Sequence, residues 1–136
     1  MATVILVLVV FRVILHKEVG MNVYKDGGNG ITRVSLDYWE KNKGKLGPIS
    51  YVWASFDGMP DESVRDYPLE YNLVLAGERG VVFLSGCNCG YGGEGPNGTR
   101  KILEELGMPE QDARQLMYKK KFELVREVDK FVECTV

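Results

Sequence analysis

Six glycines fall within the thirteen residues Gly86-Cys87-Asn88-Cys89-Gly90-Tyr91-Gly92-Gly93-Glu94-Gly95-Pro96-Asn97-Gly98, between a strand-like run and a helix-like one. Glycine lets the main chain turn through left-handed conformations and come close to a ligand, and successive backbone N–H groups leading into a helix N-terminus attract anions. A phosphate or pyrophosphate fits such a nest. The other reading is a slack surface loop, since glycine also collects where nothing constrains the chain. Order is favoured by Pro96, which restricts the backbone, by Tyr91, which offers a ring face, and by Asn97, a good cap for a helix beginning near Gly98.

Two phosphate-binding motifs are approached and missed. Residues 90–95 match G-x-G-x-x-G, but a dinucleotide fold also needs a second parallel strand ending in an acidic residue, and two helices are expected to follow instead. Residues 93–100 approach a P-loop, yet Thr99 and Arg100 stand where Lys and Ser/Thr belong, so hydrolysis of a nucleoside triphosphate loses support.

Side chains around the loop supply further candidates. Asn97 can read a ribose hydroxyl or a base edge, or serve only as a helix cap. Arg100, Arg114 and Arg33 can each make a bidentate contact to phosphate, or be solvated surface charges. Tyr91 or Phe83 can stack on a base, with Phe83 the better core residue, while Glu94 can hold a ribose or face water. Lys119, Lys120 and Lys121 can help to hold an anion or only solubilise a helix.

Groups suited to catalysis are sparse. His16, the single histidine, has no evident Ser or Cys partner, and Cys87 and Cys89 read best as small packing residues because thiolate chemistry needs a nearby cation. Asp57, Asp61 and Glu62 lack the repeated acid spacing of a magnesium site, and the Cys-x-Cys pair lacks a second ligand pair for zinc. Neither a metal nor a cofactor is expected.

Local patterning places these residues. β-Branched and aromatic residues broken by turn chemistry make the first half sheet-like. The apolar run at residues 4–15, interrupted by Arg12, is too short for a membrane span and reads as a strand covered on both faces, by the domain or by a second subunit. A strand at 19–24 is expected to turn through Asp26-Gly27-Gly28-Asn29-Gly30 and return over 31–39, with Arg33 on its more polar face. Strands follow at 49–56, 69–76 and 80–85, the last two paired across Gly77-Glu78-Arg79. Residues 99–106 form a helix stopped by Gly107, and Pro109 opens a second whose apolar stripe runs on to Val132, unless the last ten residues form a strand.

The fold class is therefore α+β, a mostly antiparallel β-sheet followed by a glycine-rich loop and two C-terminal helices. At 136 residues, 45% apolar and 26% charged, the chain is expected to form a single globular domain over 1–136. A net charge of −2 gives no field drawing it to duplex nucleic acid or anionic lipid, and three cysteines suit a reducing cytoplasm.

The order of a strand-rich half, the loop at residues 86–98 and two helices resembles the phage-encoded Thoeris anti-defence sponges of the first-described type, over most of the chain. That resemblance implies binding of cyclic ADP-ribose signals without cleavage, silencing a bacterial immune pathway, in dimers that assemble into hexamers; some members also bind cyclic oligonucleotides at a separate site. In that family an aromatic near the loop start and an Asn near its end hold the signal, with arginines on an early strand and the second helix at the phosphates. Asn97, Arg33 and Arg114 fall at suitable places, whereas Cys87 stands where the family has an aromatic, leaving stacking to Tyr91. The implied site is Cys87, Asn88, Gly90, Tyr91, Gly92, Gly93, Glu94, Gly95, Asn97, Arg100, Arg114 and Arg33 in a cytoplasmic, non-enzymatic homo-oligomer. The competing readings are a nucleotide-processing enzyme, a phosphodiesterase or transferase, and a ligand-free protein-interaction module.

Overall fold

The computed structural model describes residues 22–60 and 70–134. The apolar run at 4–15, His16, Asp61 and Glu62 lie outside them, as does the start of the strand expected at 19–24.

Six strands form one sheet: β1 (Asn22–Lys25), β2 (Ile49–Pro60), β3 (Glu70–Gly77), β4 (Gly80–Leu84), β5 (Lys121–Glu127) and β6 (Lys130–Glu133). Their order is β1-β4-β3-β2-β5-β6, and only the β1–β4 pair is parallel. Alternation along β2 sends Val52 and Ala54 to one face and Tyr51 and Trp53 to the other. The first face meets three helices, α1 (Thr32–Asn42), α2 (Glu94–Glu105) and α3 (Glu110–Leu116), through Trp39, Ile102, Leu103, Ala113 and Leu116. On the second face Tyr51, Trp53, Tyr71, Val74, Val81 and Phe83 form a separate buried cluster. The class is α+β with a mostly antiparallel sheet, as expected, and Phe83 belongs to the core. No helix among the described residues is long and apolar enough to cross a membrane.

Three local expectations are corrected. Residues 31–39 do not return as a strand. The glycines of the turn have positive φ at Gly27, Gly28 and Gly30, but the chain then enters α1, whose buried positions Thr32, Ser35, Trp39 and Asn42 follow a helical period. Three of those four are polar, so an apolar stripe is absent from the sequence although the face is buried. Arg33 therefore lies in the first turn of a helix, exposed, and not on a strand.

The helix after the glycine loop begins at Glu94, so Asn97 lies inside its first turn and Gly93 takes the cap position. Pro96 is compatible with that turn because its missing N–H is one that a helix start leaves unpaired. Gly107, at φ +101°, does end the helix.

The next helix stops at Leu116, and residues 121–133 form the β5–β6 hairpin instead of continuing the apolar stripe. Phe122 and Leu124 are buried two residues apart, the period of a strand. The glycine loop and the two helices after it are thus followed by two more strands, and the Lys119–Lys121 run sits in a turn and at the start of β5 rather than on a helix.

Candidate functional site

The glycine loop is anchored at its start by a buried carboxylate. Asp26, at the end of β1, accepts the Ser85 N–H at 2.8 Å, the Ser85 hydroxyl at 2.9 Å, the Gly28 N–H at 3.0 Å and the Ser35 hydroxyl. Ser35 in turn accepts the Gly86 N–H at 2.8 Å, and the Thr32 hydroxyl donates to the Gly86 carbonyl at 2.7 Å. Three segments, at residues 26–28, 32–35 and 85–86, thereby converge where β4 becomes the loop.

Close approach accounts for most of the glycines. A Cβ on Gly86 would collide with the Ile31 carbonyl, one on Gly95 with the Asn88 Oδ1, and one on Gly98 would lie 2.9 Å from Thr32 and 3.1 Å from Cys87. Of the six, only Gly90 has a positive φ, +102°. Cys87 and Cys89 are fully buried, and Thr99 ties α2 back to the loop by donating to the Asn88 carbonyl at 2.7 Å. The two ends of the loop, at 86–89 and 95–98, are thus packed into the core.

Burial pushes the Cys87 thiol up to about 12, with Asp26 adding to the effect, and the Cys89 thiol up to about 11. Both are held as neutral thiols at physiological pH, which agrees with packing roles.

Further along, the loop turns outward. The Gly90 N–H donates to the Met117 carbonyl at 2.8 Å, and the Phe56 N–H to the Lys120 carbonyl at 2.8 Å, so the loop, the turn after α3 and the end of β2 are fastened together. Strand β2 is irregular there: between Ala54↔Leu73 and Met59↔Tyr71 it advances five residues against two on β3. Asn72 clamps the irregularity, donating to the Ser55 carbonyl at 2.9 Å and the Phe56 carbonyl at 3.1 Å.

These fastenings gather three exposed rings. Phe56 is 41% exposed, Tyr91 41% and Tyr118 59%. Tyr91 meets Phe56 edge-on with centroids 6.0 Å apart, and Lys120 Nζ lies 3.8 Å from the Phe56 centroid. A Cβ on Gly92 would lie 3.0 Å from the Tyr118 hydroxyl, so the bare backbone of Gly92 brings loop and ring together.

The remaining expected site residues divide. Glu94 is exposed at the first position of α2. Asn97 donates to the Gly93 carbonyl at 2.8 Å and accepts from Arg100 Nε at 3.3 Å. Arg100 is also paired with Glu104, and Arg114 with Glu110 at 2.6 Å. The Glu110 carboxyl is held below the usual carboxylate range chiefly by its hydrogen bond to Arg114, with Arg100 the smallest contributor. Arg33 lies exposed in the first turn of α1, next to Thr32, which bonds Gly86 at the base of the loop. Phe56 and Tyr118 were not legible as site residues. Phe56 reads as one more strand residue, and Tyr118 as part of a helix.

No family model, no curated protein and no solved structure matches the chain.

Proposed function

We propose that this protein binds a cyclic nucleotide signal of the cyclic ADP-ribose type, with cyclic oligonucleotides as a second class, and sequesters it without cleavage, thereby inhibiting bacterial anti-phage defence from the host cytoplasm. The observation that carries this reading is the glycine loop itself. It is fixed at its base by Asp26, packed against Ile31 and Thr32, and leads into α2 with no side chain capping the helix start. Backbone held in place before ligand arrives spends little binding energy on ordering, and uncapped N–H groups at a helix start favour an anion.

Holding without turnover is consistent with the chemistry of the loop. Its two potential nucleophiles, Cys87 and Cys89, are buried as neutral thiols. The resemblance to Thoeris anti-defence sponges adds the ligand class and a homo-oligomeric assembly; of the contacts it implies, Asn97 lies beside the loop, whereas Arg33 stands on a helix instead of the early strand and Arg114 is paired with Glu110.

The test is to incubate the purified protein with cyclic ADP-ribose isomers and cyclic oligonucleotides, measure binding by calorimetry, and identify the molecule released on denaturation by mass spectrometry. Tight binding with intact ligand recovered supports sequestration. A converted product makes the protein an enzyme, and no binding by any member leaves a protein-interaction module.

A further inference from the structure

Two of the three arginines that sequence reasoning assigns to phosphate, Arg100 and Arg114, are already occupied, and the third, Arg33, lies in the first turn of α1. Arg100 is paired with Glu104 and Arg114 with Glu110, and releasing either would leave a carboxylate beside an incoming anion. Lys120, in contrast, makes no ion pair among the described residues. Its ammonium lies over the Phe56 ring, on the same side of the loop as Tyr91 and Tyr118.

Three large rings left exposed together are costly in water unless something covers them, and rings are the surface on which nucleobases stack. The protein holds these in place: β2 is irregular at Phe56, Asn72 clamps it, and two backbone hydrogen bonds bind Gly90 and Phe56 to the turn that carries Tyr118 and Lys120. A cation among ring faces recognises a ligand that is planar and negatively charged at neighbouring points.

Resting on the nucleotide reading above, we propose that Phe56, Tyr91 and Tyr118 form the platform for the heteroaromatic base of the ligand, and that Lys120 is its first cationic contact to phosphate. The base then lies beside Gly90–Gly93, outside the buried part of the loop. Specificity for a base-bearing ligand comes from the end of β2 and the α3–β5 turn, and Arg100 and Arg114 keep their carboxylate partners.

The experiment compares ADP-ribose and cyclic ADP-ribose with two base-free probes, ribose 5-phosphate and inorganic pyrophosphate, by calorimetry on the full chain and on Phe56→Ala, Tyr118→Ala and Lys120→Gln. All three side chains are exposed, and circular dichroism with urea unfolding checks that each variant retains its fold. The expected result is that the base-bearing probes bind more tightly than the base-free ones, that each aromatic substitution weakens only the base-bearing probes by roughly tenfold or more, and that Lys120→Gln weakens every phosphate-bearing probe that binds. Equal affinity for ADP-ribose and pyrophosphate, or aromatic variants that bind ADP-ribose as the parent does, overturns the platform while leaving the nucleotide reading standing. Binding by no probe overturns the cyclic ADP-ribose reading and the platform with it.

Discussion

The carboxylate of Asp26 takes two hydrogen bonds from Ser85, one from its backbone N–H at 2.8 Å and one from its hydroxyl at 2.9 Å, across 59 residues of chain. Ser35 and Gly28 complete its shell, so a buried charge is fully surrounded by donors. Asp26→Ala strands those donors around a small void, and a loss of about 3 kcal/mol in unfolding free energy is expected. Urea unfolding measures it. A loss below about 1 kcal/mol would mean that Asp26 does not anchor the loop.

Glycines 86, 92 and 95 are predicted to differ under substitution by alanine. A Cβ on Gly86 meets the Ile31 backbone, which cannot give, whereas on Gly92 it meets the exposed Tyr118 side chain, which can. Gly86→Ala should therefore cost about 1–3 kcal/mol from overpacking and Gly92→Ala much less. Gly95→Ala falls between them, because the Asn88 side chain that it strikes can be shortened; in Asn88→Ala the same change should cost less than in the parent chain. Equal costs at all three positions would show that the loop is not packed as described.

Strands β2, β3 and β4 were legible in the sequence because their alternation serves a sheet with two different apolar faces, and Gly77-Glu78-Arg79 marks the β3–β4 hairpin. Helix α1 was hidden because its buried stripe is Thr32, Ser35 and Asn42 around a single Trp39; Thr32 and Ser35 bury through hydrogen bonds to the loop and Asp26, and Asn42 through one to the Tyr38 carbonyl, rather than by hydrophobicity. At the site, the loop glycines stood out, but their purpose did not: most serve close packing, which depends on what lies opposite. The meeting of Phe56, Tyr91 and Tyr118 arises from pairings between segments far apart in sequence, and no local pattern encodes it.

The β5–β6 turn was hidden for a separate reason that itself predicts an outcome. Val128 takes φ +59° in the two-residue turn between Glu127 and Lys130, and it is 94% exposed. A β-branched side chain there is strained, and glycine is the residue that such a turn favours. Val128→Gly should raise stability by about 1 kcal/mol, because relief of strain outweighs the added freedom of the unfolded chain. A fall in the thermal midpoint would argue against a left-handed residue at this position.

Asn97 provides a test of the ligand assignment that separates folding from binding. Its side chain donates to the Gly93 carbonyl and accepts from Arg100, leaving one amide hydrogen and one lone pair for a ligand. Asn97→Ala should cost about 0.5–1.5 kcal/mol of stability, the ordinary net worth of one such bond. If Asn97 also holds the ligand, affinity for cyclic ADP-ribose should fall by about tenfold or more. Stability loss with unchanged affinity would confine Asn97 to its helix.

The buried thiols predict a distinctive alkaline behaviour. Burial lifts Cys87 to about 12 and Cys89 to about 11 in the folded chain, while in the unfolded chain both return to the ordinary thiol range near 8.5. Between those values the unfolded chain has released protons that the folded chain still binds, so stability falls as pH rises; below the ordinary range the two states bind alike and the effect is flat. Urea midpoints at pH 8, 9.5 and 10.5, taken as the difference between the parent and Cys87→Ala/Cys89→Ala, isolate this contribution from tyrosine and lysine titration. The parent should lose stability with pH more steeply than the variant. A thiol reagent at pH 8 should modify only Cys134 quickly in the native protein and all three cysteines in urea. Parallel pH profiles, together with rapid labelling of Cys87 or Cys89, would show that the loop opens to solvent and that its packing is weaker than the close contacts at Gly86 and Gly95 require.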